Sequence, residues 1–130
     1  MEDISFDHHV LLAENFELLA DWYKHVFGFE VLVHEHTPRN YMELGIKNSC
    51  KLKIIPFLEY PEYPTSPTTN ALLYQFEVHN LAELVSTIQQ NQGTVIKGPT
   101  KMASMYYAIA KDIEDNEIWL IQRKEPMAQD

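Results

Sequence analysis

Apolar residues recur at three- and four-residue intervals in two stretches of this 130-residue chain. Phe16, Leu19, Tyr23 and Val26 make one stripe, and Leu81, Leu84 and Ile88 make the other. That spacing belongs to a helix that buries one face. Asn15 stands where an N-cap side chain can accept a backbone N–H that the first turn leaves unpaired, and Gly28 stands where the chain can turn left-handed and stop. Helices are predicted over 15–27 and 81–91. Alternating apolar and polar residues predict strands at 4–13, 29–36, 40–45 and 50–57, and again at 71–78, 94–98, 104–110 and 117–122. Between Leu58 and Asn70 the sequence LEYPEYPTSPTTN breaks the pattern. Prolines supply no ladder N–H, so 58–70 reads as a linker, and the polar tail 123–130 as a frayed end.

The second series is the first one displaced by 65 residues. Asn15 maps to Asn80, Gly28 to Gly93, Phe16 and Leu19 to Leu81 and Leu84, Tyr23 to Ile88, and Tyr41 to Tyr106. Asn80 with Glu83 resembles a capping box, with Asn in place of the usual Ser or Thr. Two caps, two stops and two stripes at one displacement describe an α+β chain of tandem βαβββ modules, the first over about 4–57 and the second over about 71–122.

Composition narrows the function. Hydrophobic content of 45% and aromatic content of 12% supply a core. A formal net charge of -9, from 19 acidic against 10 basic side chains, disfavours a nucleic-acid partner and attracts cationic small molecules. No apolar run reaches the roughly 20 residues that span a bilayer, and MEDISFDHH lacks the pattern of a signal peptide. Cys50 is the only cysteine, which suits a reducing compartment. The expectation is a soluble cytoplasmic protein with no membrane partner.

Alternation also sorts side chains by face. Tyr74, Phe76 and Val78 suit the helix side of their strand, leaving Leu73, Gln75 and Glu77 opposite. The displacement carries this to His9, Leu11 and Ala13 on the helix side and His8, Val10 and Leu12 opposite. Leu52 and Ile54 back the first helix, with Lys51, Lys53, Ile55 and Phe57 on the other face. Ile118 and Leu120 back the second, with Glu117, Trp119 and Ile121 opposite.

From about Asp7 to Gln122, the start HHVLL, the segment WYKHVFGF, FEVHNLAEL opening the second half and the closing DIEDNEIWLIQ together resemble the vicinal oxygen chelate superfamily. That superfamily includes glyoxalase I, extradiol dioxygenases, and fosfomycin- and bleomycin-resistance proteins. The resemblance implies that the modules pair into a curled, cup-shaped mixed sheet with helices outside, a ligand in the cup, and a homodimer. Enzymes of the family hold a divalent metal at four cup positions, which map here to His8, Lys53, Leu73 and Trp119. Only His8 keeps a ligand type, because a lysine ammonium repels a cation and leucine and tryptophan donate nothing. Glu117 shares the face but stands two residues from the family position. The implied metal site is therefore not expected, nor is any cofactor.

Other chemistry is sparse. His34 and His36 share one strand face and could form half a metal site, although a solvated strand end before Thr37 and Pro38 is the simpler reading. His8 and His9 point to opposite faces, and His25 and His79 read as surface residues. No phosphate loop or nucleophile signature appears, and Cys50 reads as packing. The expected ligand-binding set is His8, Lys53, Phe57, Leu73, Gln75, Glu77, Tyr107, Glu117 and Trp119, with Tyr41 and Tyr106 as further wall residues. The expected function is metal-free binding of an aromatic or cationic small molecule, similar to the bleomycin-resistance branch. The alternative is a metal-free isomerase, lyase or cyclase with His8 as acid or base and Glu77 or Lys53 as its partner. A metal-dependent glyoxalase or dioxygenase ranks third, against Leu73 and Trp119.

Overall fold

The computed structural model describes residues 9–62 and 74–123. His8, Leu73, the first residues of both expected opening strands, most of the proline-rich stretch and the tail lie outside the described residues. The chain divides into two compact units, Met1–Thr65 and Ser66–Asp130, called here module 1 and module 2.

In module 1, strand β1 (His9–Ala13) leads into helix α1 (Phe16–Phe27), and then come β2 (Glu30–Glu35), β3 (Tyr41–Ile46) and β4 (Ser49–Pro56). In module 2, β5 (Tyr74–Glu77) leads into α2 (Leu81–Gln90), then β6 (Thr94–Met102), β7 (Met105–Lys111) and β8 (Glu117–Gln122). The sheets have the orders β1-β4-β3-β2 and β5-β8-β7-β6. Each has one parallel pair, β1 with β4 and β5 with β8, and two antiparallel ones. This is the expected α+β architecture, one βαβββ motif built twice.

Sequence explains both helices. Asn15 Oδ1 accepts the Leu18 N–H at 3.1 Å, and Asn80 Oδ1 accepts the Glu83 N–H at the same 3.1 Å. Most of each predicted stripe is buried, Leu19, Tyr23 and Val26 with Ala20 and Trp22 in α1 and Leu81 and Ile88 with Val85 in α2, while Phe16 and Leu84 are only half-buried. They pack on the buried half of each sheet, namely Leu11, Ala13, Met42, Leu44, Leu52 and Ile54 in module 1 and Ala108, Ala110, Ile118 and Leu120 in module 2. Each large aliphatic side chain so buried contributes about 1.5–3 kcal/mol. In module 2 the buried Gln122 Oε1 also accepts the Leu81 N–H at 2.7 Å, satisfying one more donor of the first turn.

The helix stops differ. Gly28 takes φ 76 and closes α1 through its N–H to the Lys24 carbonyl. Gly93, expected to do the same for α2, does not. Gln92 takes the left-handed conformation at φ 67, and the Gly93 N–H bonds the Ile88 carbonyl at 2.9 Å. The glycine stands one place too late, so a side-chain-bearing residue carries the turn.

No single displacement relates the modules. Val10 and Gln75 occupy matching rungs 65 apart, as their partners Lys53 and Trp119 show. Those partners are themselves 66 apart, as are Glu43 and Ile109 opposite them. Val31 and Val95, opposite Leu44 and Ala110, are 64 apart. Tyr41 therefore matches Tyr107 rather than the expected Tyr106. Strand β4 ends at Pro56, and Phe57 opens a 3₁₀ turn (Phe57–Glu59), so strand alternation no longer sets the direction of Phe57.

The start of the expected linker is firmly built. Glu59 accepts the Asn40 backbone N–H at 2.9 Å and its side-chain amide at 2.7 Å. The Tyr60 hydroxyl donates to the Asn40 carbonyl at 3.0 Å, and Arg39 lies over the Tyr60 ring at 3.9 Å while pairing with Glu62 at 2.9 Å. The Asn40 bonds, backbone first, hold the Glu59 carboxyl below the usual carboxylate range.

Candidate functional site

The face of each sheet turned from its helix carries the candidate residues. In module 2, Gln75, Trp119 and Ile109 form one cross-strand row, and Glu77, Ile121 and Tyr107 form the next. The Trp119 and Tyr107 rings stack across β8 and β7, with centroids 5.8 Å apart and planes 14° apart. Tyr107 is buried and Trp119 half-buried. The indole N–H donates to Glu117 Oε2 at 3.3 Å. Lys97 places its ammonium 5.5 Å from the centroid of the Tyr107 ring. Four expected residues, Gln75, Tyr107, Glu117 and Trp119, thus share one face around a ring stack whose orientation is set at both ends. Glu77 lies on the same face near its margin. There it pairs with Arg123 at 3.3 Å and lines a shallow depression with Val78 and His79.

In module 1 the matching rung holds Lys53, between Val10 and Glu43. Its ammonium lies 4.5 Å from the centroid of the Tyr41 ring. Lysine over tyrosine in module 1 therefore occupies the rungs of tryptophan against tyrosine in module 2. Phe57 lies beyond the strand, in the 3₁₀ turn, and the structure does not bring it into the row of Lys53.

Lys97 was missed by sequence reasoning, because Gly98 and Pro99 break the alternation and β6 was expected to end there. The strand continues to Met102 through register shifts. Gly98, at φ 94, makes this passage possible, since a Cβ there would lie 2.5 Å from the Tyr107 carbonyl oxygen.

The rungs that the resemblance links to a divalent metal do not offer its chemistry at Lys53 or Trp119, whose side chains supply no lone pair to a cation. Among the described residues no three His, Cys, Asp or Glu side chains group as metal ligands. His34 and His36 lie on the edge of module 1 with ring centroids 4.6 Å apart and planes tilted by 47°, His34 near Glu17 Oε2 at 3.7 Å and His36 hydrogen-bonded to Asn40 Oδ1 at 2.8 Å. His25 contacts the Asp21 carbonyl within α1, at the surface as expected. Cys50 is half-buried and donates weakly to the Leu52 carbonyl at 3.7 Å. No helix among the described residues is long and apolar enough to cross a membrane.

Residues 5–122 match the family model described as the glyoxalase/bleomycin resistance protein/dioxygenase superfamily. Among solved structures, a glyoxalase family protein from Bacillus cereus superposes with a TM-score of 0.80 at 13% identity, covering 94% of this chain and 95% of that one. A glyoxalase/bleomycin resistance protein/dioxygenase family enzyme from Burkholderia phytofirmans gives 0.74 at 20% identity, covering 91% and 98%. TnmS3, an antibiotic binding protein from Streptomyces sp. CB03234, gives 0.74 at 18% identity, covering 95% and 100%. At these identities the likeness is one of fold. No curated protein matches the chain in sequence.

Proposed function

The chain belongs to the glyoxalase/bleomycin resistance protein/dioxygenase superfamily, and from that premise we propose that it is a metal-free binding protein for an aromatic small molecule. The observation that carries this reading is the Trp119–Tyr107 stack on the open face of module 2. The half-buried Trp119 ring, backed by the parallel, buried Tyr107 ring and held by Glu117, offers a planar ligand a surface that needs little further ordering. Ring stacking contributes about 0.5–1.5 kcal/mol beyond the area it buries. An antibiotic binding protein of the same fold supports small-molecule binding as a use of this architecture. Lys53 and Trp119 at the rungs associated with metal support the metal-free reading. In the same proposal the protein acts in the cytoplasm as a homodimer, in keeping with its single cysteine and the habit of the family, and without a nucleic-acid partner, in keeping with its net charge of -9.

The test is titration with 2-naphthamide, a neutral two-ring probe, by tryptophan fluorescence and calorimetry. Trp22 is buried in α1, so a fluorescence change on binding reports Trp119. Trp119→Ala is expected to weaken calorimetric affinity by about tenfold or more. Unchanged affinity in that variant would remove the stack from the site and the reading with it.

A further inference from the structure

His34 stands opposite the buried Met42 on the ladder, so it belongs to the face of the module 1 sheet that α1 covers, not to the open face. The first turn of α1 meets it there. The Phe16 ring lies edge-on to the His34 imidazole at 6.2 Å, and Glu17 Oε2 lies 3.7 Å from His34 Nε2. The His36 ring follows, its centroid 4.6 Å from that of His34. With bonds of about 2.0–2.1 Å, two imidazoles on one tetrahedral ion have centroids roughly 4.5–5 Å apart, and two ligand atoms lie roughly 3.4 Å apart. Both spacings at this edge are close to those values. The tautomer of His36 follows from its neighbours. A carboxylate oxygen only accepts, so the Asn40 side-chain atom 2.7 Å from Glu59 Oε2 is the amide nitrogen. The amide oxygen therefore faces His36 Nδ1 at 2.8 Å, and that nitrogen carries the ring proton. Nε2 is left with its lone pair. A histidine oriented through one ring nitrogen, with the other ready to bind, is the arrangement that second-shell partners give a metal ligand.

We propose that His34 and His36, joined by Glu17, bind a borderline divalent cation of the zinc type at the outer edge of module 1. The three side chains are not gathered as a ligand set in advance, and the Glu17 side chain, 60% exposed, rotates onto the ion to complete it. Imidazole suits zinc, nickel and copper, whereas magnesium favours oxygen ligands alone. The bound ion ties the first turn of α1 to the edge strand β2. In module 2 the matching strand β6 carries no histidine, so the site belongs to module 1 alone. It lies behind the sheet, apart from the rungs of Lys53 and Trp119, and the metal-free reading of the aromatic site does not depend on it.

The probe is zinc ion alone, with magnesium as the control, added to the chelator-treated full chain and followed by the imidazole NMR resonances and by calorimetry. Before zinc is added, the ring nitrogen shifts of His36 should place the proton on Nδ1. Zinc is expected to move the His34 and His36 ring resonances, and magnesium to leave them in place. His34→Gln and His36→Gln should each weaken zinc binding by about tenfold or more, while His25→Gln leaves it unchanged. A neutral His36 protonated on Nε2, zinc that leaves either ring unmoved, an equal response to magnesium, or full zinc affinity in either of the His34 and His36 variants would each overturn the proposal. The ring resonances of the unaltered chain decide even if the variants misfold. The Trp119 titration with 2-naphthamide reads module 2 separately, so either reading can fail alone.

Discussion

Module 1 and module 2 place a tyrosine, Tyr41 or Tyr107, on the same rung of the same ladder, and cover it differently. In one a lysine ammonium lies over the ring, and in the other an indole stacks against it. The helix-facing halves, by contrast, use interchangeable aliphatic residues: Leu52 and Ile54 in one, Ile118 and Leu120 in the other, all essentially inaccessible. The covered face must be filled with apolar volume to hold the fold, so the repeat is kept there. On the other face Ile55 and Ile121, on matching rungs, are just as buried, and chemistry diverges only on the neighbouring rungs of Lys53 and Trp119. A duplicated scaffold thus yields two unlike surfaces without any change in topology.

The contrast can be broken first at Gln122. Its rung matches Pro56, which has no side-chain acceptor to offer, so only module 2 ties its helix to its fourth strand in this way. Gln122→Leu leaves the buried Leu81 N–H without its acceptor and is expected to cost about 1–3 kcal/mol in urea unfolding. A loss within error would mean that the first turn finds another acceptor.

A smaller effect tests the two helix stops. Gly28→Ala puts a Cβ on a left-handed residue in open space, so backbone strain alone should cost about 1 kcal/mol. Gln92→Gly relieves the same strain in module 2 and should add up to about 1 kcal/mol. Paired thermal melts check both signs, and two changes of one sign would contradict the comparison.

The smallest effect concerns the exit from the outer parallel pair, where module 1 has the Asn40–Glu59 bonds and module 2 the exposed Glu77–Arg123 pair. The folded state holds the Glu59 carboxyl below its ordinary value, so the bonds contribute fully above the unfolded value and are lost as pH falls through the lower folded one. The Asn40 amide resonance should shift in that window, and Glu59→Gln should flatten the curve.

Much of this was legible in the chain. Helical stripes and the Asn15 and Asn80 caps identify both helices, because burial and capping are local demands that a sequence states directly. Alternation placed Trp119, Gln75, Lys53 and Glu117 on the open faces. The misses share a cause. Gly93, Tyr106 and the end of β6 were assigned by one fixed displacement or by unbroken alternation, and a bulge or a turn of different length shifts register without leaving a mark in hydropathy. Likewise, nothing local tells that Lys53 chooses Tyr41 over Glu43.

The drift in displacement, 64 at Val31 and Val95, 65 at Val10 and Gln75, and 66 at Glu43 and Ile109, has a bearing on the ancestry of the chain. Single-residue steps fall inside the strands, since Glu35 and Thr100, opposite Tyr41 and Tyr107, are 65 apart, as well as between elements, at the helix exits and in the β2–β3 and β6–β7 connections. Those joints have absorbed single-residue gains and losses since the halves diverged, while every strand kept its place in the order. An engineer who wished to splice in a reporter peptide would find the tolerated positions already marked there by natural history.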